Sequence, residues 1–393
     1  MRNCSLAPFL RTFLVWGFAV YGFMACAFFR SHLEAQTFFI GGYGPGVFGS
    51  TLNAEGKMTE PKLLAEQGLP AFFAFHPKLD VLYVVTESSR NDPKNPSMVA
   101  AYSVKPSSDA NSGLPTLTRI NSQAIDGDAS CHVAVDASGK FLAIANYSSG
   151  SVCLFPVGEK GSVQPVAMKI DQRGSEGPNT ARQKESHAHC VVWDPSNRFL
   201  LCADLGLDKV FIYELDLVKG SIVPAKNASF SLAPGSGPRH LSFHPNGKWV
   251  YIINELNMTM TVAEWDGEQG KLSELQTLST LPVDAKGDNF STAEVLVHPS
   301  GRFVYGSNRG HHTIASFQVD ESTGKLTPTG HTSTQGKTPR NFRLSPDGVF
   351  LLAENQDSNS IYSFRIDSKK GTLQPTGYSI SAPAPACIKF LDR

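Results

Sequence analysis

Neither sign of charge is in excess. The chain carries 35 Lys and Arg against 35 Asp and Glu, and charged residues fill only 18% of its 393 positions. A broad basic field is missing, which argues against nucleic acid as a partner. Cysteine is scarce, with seven scattered residues and no C-x-x-C. That pattern excludes a disulfide framework and a dithiol redox motif. Cys131, Cys153, Cys190, Cys202 and Cys387 read as small buried hydrophobes. One pair, Cys190 and Cys202, flanks a turn symmetrically and is where a cross-hairpin bridge fits. No G-x-S-x-G is present, so a serine elbow of the α/β-hydrolase kind is excluded. The glycine-rich stretch GGYGPG, residues 41–46, lacks the G-K-[ST] of a phosphate loop and reads as a turn or channel lining.

Long apolar runs are also missing, except at the head. Arg2 and Arg11 precede FLVWGFAVYGFMACAFF, an uncharged run over 13–29. A basic start followed by an apolar stretch is the pattern of an export signal. Ala25-Cys26-Ala27 offers a small-x-small cleavage point. We therefore read residues 1–35 as an export signal, with an uncleaved membrane anchor as the alternative. The expected location is periplasmic or extracellular, and the membrane is a partner only if this segment is retained.

What the chain has in quantity is turn residues, 34 Gly and 25 Pro, and a repeat. An apolar strand, a turn and a second apolar strand recur as FFAFHPKLDVLYVVTE (72–87), HVAVDASGKFLAIANY (132–147), CVVWDPSNRFLLCAD (190–204), HLSFHPNGKWVYIINE (240–255), EVLVHPSGRFVYGSN (294–308) and FRLSPDGVFLLAEN (342–355). A third strand follows each unit, such as KVFIYEL (209–215), and then a fourth, such as KLTPTGHTS (325–333). Four short strands per repeat are the signature of a propeller blade. The tail ACIKFLD (386–392) reads as a first strand without its hairpin. The head TFFIGGYG (37–44) and GVFGSTLN (46–53) read as the second and third strands that it lacks. The expected fold is all-β: one domain over 36–393, a seven-bladed propeller of four-stranded antiparallel blades. Pairing the N-terminal strands with the C-terminal strand closes it and removes free sheet edges.

In such a fold the start of each first strand and the end of each second strand meet at one channel mouth. Reflection about the turn Asn246-Gly247 makes Arg239 and Glu255 cross-strand neighbours, close enough for an ion pair. The same reflection brings His187 and His189 near Asp204, Glu294 near Asn308 and Arg309, and Arg340 near Glu354 and Asn355. His132 and His240 lie at strand starts, while Glu87 and Asn146 lie at strand ends. The His-Pro turns at His76, His244 and His298 fall at the other end and read as turn-shaping. His187 and His189 share one strand face, as metal ligands would, but beyond Asp204 no further ligand is specified. The expectation is metal-free, cofactor-free chemistry. Arginines at the mouth suit an anionic substrate, and histidine suits proton transfer.

The stretches SHAHCVVWDPSNRFLLCADLGLDKVFIYEL (186–215), GPRHLSFHPNGKWVYIINEL (237–256), AEVLVHPSGRFVYGSNRG (293–310) and TPRNFRLSPDGVFLLAENQ (338–356) together resemble the seven-bladed propeller lactonases. That family includes bacterial 6-phosphogluconolactonases and fungal carboxy-cis,cis-muconate cyclases. The resemblance spans about 37–392 and implies hydrolysis of a sugar lactone, or lactonising chemistry on a muconate. It implies catalytic roles for His187 or His189, Arg239, Glu255 and Arg309, with Arg340 a second candidate for the last. His132, Asp204, His240, Glu294, Asn308 and Arg340 are the substrate-binding candidates. The implied partner is a small lactone or sugar acid, and a monomer is expected. An exported chain favours an unphosphorylated sugar. A non-enzymatic propeller that binds carbohydrate or protein is the competing class.

Overall fold

The computed structural model describes residues 35–89, 91–106 and 113–391. The expected export segment lies, up to residue 34, outside the described residues. Among the described residues no helix is long and apolar enough to cross a membrane.

The strands form seven four-stranded antiparallel sheets. Six are continuous in the chain and run 70–124, 130–171, 188–231, 238–279, 291–333 and 339–381; we number these blades 1 to 6. Blade 7 is composite. Its innermost strand is Pro385–Phe390, which pairs with Gln36–Gly42 through Phe38↔Phe390 and Ile40↔Ile388. Gly46–Leu52 and Lys62–Glu66 complete that sheet. The expected closure is therefore present.

Each blade is wedged between two others, so its middle strands are apolar on both faces. In Trp249–Asn254, Val250 and Ile252 join the apolar cluster shared with blade 3. The alternate residues, Tyr251 and Ile253, join the cluster shared with blade 5. This is the period-two alternation of a strand applied to two cores. The same alternation separates the paired cysteines. Cys190 lies opposite Ala203, and Cys202 lies opposite Val191. Cys190 therefore faces the blade 4 side and Cys202 the blade 2 side, and both are free thiols. The bridge across this hairpin does not form.

The His-Pro turns tie neighbouring blades together. In blade 4, the His244 Nδ1 accepts the Asn246 backbone N–H at 3.1 Å, which leaves the proton on Nε2. That nitrogen donates to the Gly301 carbonyl of blade 5 at 2.9 Å. His76 and His298 repeat the contact with Gly139 and Gly348. Gly301 sits at φ 74°, and a Cβ there would lie 2.6 Å from the His244 ring. Backbone angle and space both demand glycine at that turn.

At the other end, the first strand of every blade carries a β-bulge. In six blades a single residue falls out of register: Ala71, Cys131, His189, Arg239, Arg340 or Ala386. In blade 5 the shift spans Ala293 and Glu294. A bulge re-aims the side chain it releases from the ladder.

Candidate active site

All six singly bulged residues line one narrow recess at the channel mouth, together with Phe72, Glu87, His240 and Asn341. The recess has three parts: a carboxylate that gathers arginines, a second acid–base pair on the rim, and a buried imidazole floor.

Glu255 is the hub of the first. Its Oε2 lies 3.0 Å from Arg239 Nε and 2.9 Å from Arg309 Nη2. Its Oε1 lies 2.7 Å from Arg182 Nη2. Arg239 also donates to the Ala293 carbonyl at 2.7 Å, and Arg309 to the Thr292 carbonyl at 2.8 Å. Burial alone would raise the Glu255 pKa, but Arg309, Arg239 and Arg182 outweigh it and hold the carboxyl at about 2. Burial lowers Arg309 to about 10, a shift that Glu255 opposes. All three guanidinium groups and the carboxylate are thus charged at neutral pH, leaving the cluster two positive charges in excess.

On the rim, Tyr43 donates to Glu87 Oε2 at 2.7 Å. Arg340 lies over the Tyr43 ring at 5.2 Å and 3.6 Å from Glu87 Oε1. Burial raises the Tyr43 hydroxyl far above its usual range, so it acts as a donor.

The floor is aromatic and imidazole. His240 lies 5.2 Å from His189 and 5.3 Å from His132, ring to ring, and Phe72 lies 4.0 Å from His132. His240 Nδ1 meets Glu294 Oε1 at 2.9 Å, and Asn341 Nδ2 donates to the other carboxylate oxygen at 2.7 Å. Burial lowers the pKa of all three histidines. Arg239 lowers each further, while Glu294 partly restores His240. The floor is neutral imidazole at pH 7.

The sequence candidates divide accordingly. Arg239, Glu255, Arg309, Arg340, His189, His132, His240 and Glu294 come together in or directly around the recess. His187 sits outside it, half-buried, stacked on Tyr147 at 4.4 Å with its Nδ1 3.0 Å from the Tyr147 carbonyl. Asp204 is spent on its own loop, accepting the N–H groups of His187, Gly206 and Leu207 at 2.9, 3.0 and 3.1 Å, and the Ser186 hydroxyl. Asn308 instead ties its strand end to the connection between blades 4 and 5 through the Thr280 carbonyl at 2.8 Å. Two expected neighbourhoods differ. Glu294 meets His240 and Asn341 instead of Asn308 and Arg309, because the blade 5 bulge turns it inward. Arg340 reaches Glu87 and Tyr43 instead of Glu354 and Asn355, because its bulge points it across the mouth. Sequence reasoning missed Arg182, Tyr147 and Tyr43. Among the described residues, no group of three or more His, Cys, Asp and Glu is arranged to hold a metal ion.

A closed propeller with arginines, a buried carboxylate and neutral imidazoles at one channel mouth defines the class. Residues 37–390 match the family described as Lactonase, 7-bladed beta-propeller, and the chain belongs to that family. It is 36% identical to a 6-phosphogluconolactonase of Bacillus subtilis over 351 residues, which cover 89% of this chain and 95% of the relative. A 6-phosphogluconolactonase of Formosa agariphila is 34% identical over 73% of this chain and 79% of its own. The solved structure of a periplasmic gluconolactonase from Pseudomonas aeruginosa superposes with a TM-score of 0.84 at 28% identity, covering 91% of this chain and 99% of the other.

Proposed function

We propose that this protein hydrolyses a sugar lactone at the recess, without a metal or cofactor. The observation that carries the reading is the convergence of Arg239 and Arg309 on ionised Glu255 beside the neutral ring of His189. A carboxylate held at about 2 by three guanidinium groups is a poor base, so Glu255 holds the arginines in place. The proton-accepting role then falls to His189. Water attacks the lactone carbonyl and passes a proton to the His189 imidazole. Arg239 and Arg309 stabilise the oxyanion of the tetrahedral intermediate. The intermediate collapses, the ring C–O bond breaks, and the imidazolium returns its proton to the departing ring oxygen. The product is an open-chain hydroxy acid.

The relatives named above carry both a phosphorylated and an unphosphorylated substrate in their names. An exported chain would meet the unphosphorylated lactone. The test is turnover of δ-gluconolactone and of its 6-phosphate by purified protein, corrected for spontaneous hydrolysis. No turnover above background with either substrate, or with a wider panel of lactones, would defeat the reading.

A further inference from the structure

Of the three arginines on Glu255, Arg182 stands apart. Arg239 and Arg309 come from strands of blades 4 and 5, and their side chains are 3% and 15% exposed. Arg182 comes from the connection between blades 2 and 3, residues 172–187, and its side chain is 41% exposed.

That connection is not a loose loop at this point. Gly177 and Gln183 close a turn through the Gly177 N–H and the Gln183 carbonyl at 2.9 Å. The Arg182 and Gln183 N–H groups both reach the Asn179 carbonyl, at 3.0 and 2.7 Å. Gln183 is fully buried and pins the turn to blade 3 through the Leu205 carbonyl at 2.9 Å and Asp208 Oδ1 at 2.8 Å. The residue next to Arg182 is thus anchored, and the side chain is aimed by two contacts of one nitrogen. Arg182 Nη2 donates to Glu255 Oε1 at 2.7 Å and to the Tyr147 hydroxyl at 2.9 Å. Its Nε and Nη1 make no hydrogen bond among the described residues. A guanidinium held on one edge, with its other donors open at the rim, is prearranged to bind an oxyanion in a fork. Glu255 cancels only one of the three positive charges around it.

We propose that Arg182 forms a second anion subsite at the rim. It would receive a phosphate monoester or carboxylate that the substrate carries away from the lactone ring. Arg182 is then a specificity-determining residue. The connection that bears it sets whether a charged sugar lactone is preferred over an uncharged one. This inference rests on the lactonase reading for its substrate, and on the geometry of Arg182 for its anion.

The experiment compares wild type, Arg182→Gln and Arg182→Lys on three lactones: δ-gluconolactone, its 6-phosphate, and the glucarolactone with a carboxylate at the same carbon. Arg173→Gln, an exposed arginine on the same connection, controls for the loss of one surface charge. The expected result is that Arg182→Gln lowers kcat/KM for a charged lactone relative to the uncharged one by roughly ten- to a hundredfold, mainly through KM. Arg182→Lys should recover part of that ratio, and Arg173→Gln should show none of the loss. Whichever charged lactone shows the effect identifies the anion. Binding of inorganic phosphate, measured by calorimetry, should weaken in Arg182→Gln and supplies a readout independent of turnover. A wild type that turns over no lactone but loses phosphate affinity in Arg182→Gln sinks the lactonase reading and keeps the subsite. An unchanged kcat/KM ratio with unchanged phosphate affinity overturns the subsite. So does an equal loss on all three lactones with unchanged phosphate affinity, which is the outcome for a purely structural clamp on Glu255.

Discussion

Arg239 Nε and Glu255 Oε2 lie 3.0 Å apart, with side chains 3% and 4% exposed. This pair is buried, shared with two further arginines, and asymmetric in charge. Replacing Glu255 by Gln leaves three guanidinium groups without their carboxylate, Arg239 among them buried. We expect a loss of about 3–5 kcal/mol at pH 7 in denaturant unfolding. The pH dependence fixes the cause. The Glu255 carboxyl is held at about 2 in the folded chain, against 4.5 for the ordinary group. Its contribution is therefore fully present above pH 4.5 and is lost as pH falls towards 2, on the order of 3 kcal/mol in all. The stabilities of wild type and Glu255→Gln should converge across that window. A gap that stays constant from pH 5 to pH 2 would show that the carboxylate charge is not what Glu255 contributes.

His189 carries a pH prediction for activity. Burial holds its pKa well below the usual imidazole range, and Arg239, His240 and Arg340 lower it further. The base form then dominates at neutral pH, so the acid limb of kcat/KM should fall well under pH 6.5, with a plateau above it. Arg239→Ala should cut turnover by about two to three orders of magnitude as an oxyanion donor is lost. It should also move the acid limb upward, because one cation facing His189 is gone. A limb that stays in place in Arg239→Ala would remove His189 as the group that the profile reports.

The propeller was legible because each blade repeats the same strand–turn–strand pattern, and because the unpaired tail ACIKFLD finds its partner in the head. The Arg239–Glu255 contact was legible from hairpin reflection alone. The bulges were not, and they explain the errors at Glu294 and Arg340. Reflection assumes an unbroken ladder, whereas one extra residue at the mouth end of each first strand turns side chains towards another blade. Arg182 was invisible for a different reason. It lies in an aperiodic polar connection, and the buried bonds of Gln183 to the Leu205 carbonyl and Asp208 anchor it beside Glu255. Such a long-range anchor leaves no local signature. Tyr43 lies in GGYGPG, which reads as a turn or channel lining, and its partner Glu87 lies in another blade.

The His-Pro turns should matter for stability and leave the mouth alone. His244 joins blade 4 to blade 5 through the Gly301 carbonyl at 2.9 Å and accepts a backbone N–H within its own turn. His244→Ala breaks both and should cost about 1–2 kcal/mol in denaturant unfolding. Lactone turnover at a temperature where the variant stays folded should match wild type, since the turn and the recess occupy opposite ends of the strands. A large loss of turnover in a folded His244→Ala would mean that this end of the channel takes part in the reaction.

Glu354 makes the opposite pH prediction to Glu255. It is completely buried, and among the described residues no side-chain donor reaches either carboxyl oxygen. Burial and then Glu294 raise its pKa well above the ordinary value, against the pull of Arg343 and of the Ile388 backbone N–H. The folded chain keeps a proton that the unfolded chain releases near pH 4.5. The raised pKa therefore favours folding fully only below that point, and the advantage is lost as pH rises towards the folded value. The slope for one such proton is about 1.4 kcal/mol per pH unit. Gln keeps the shape and has no proton to release. Glu354→Gln should gain on wild type steadily as pH rises above 4.5 in chemical unfolding, and be more stable at pH 8. A variant that instead loses ground with rising pH would show that Glu354 is ionised in the fold and paired with Arg343.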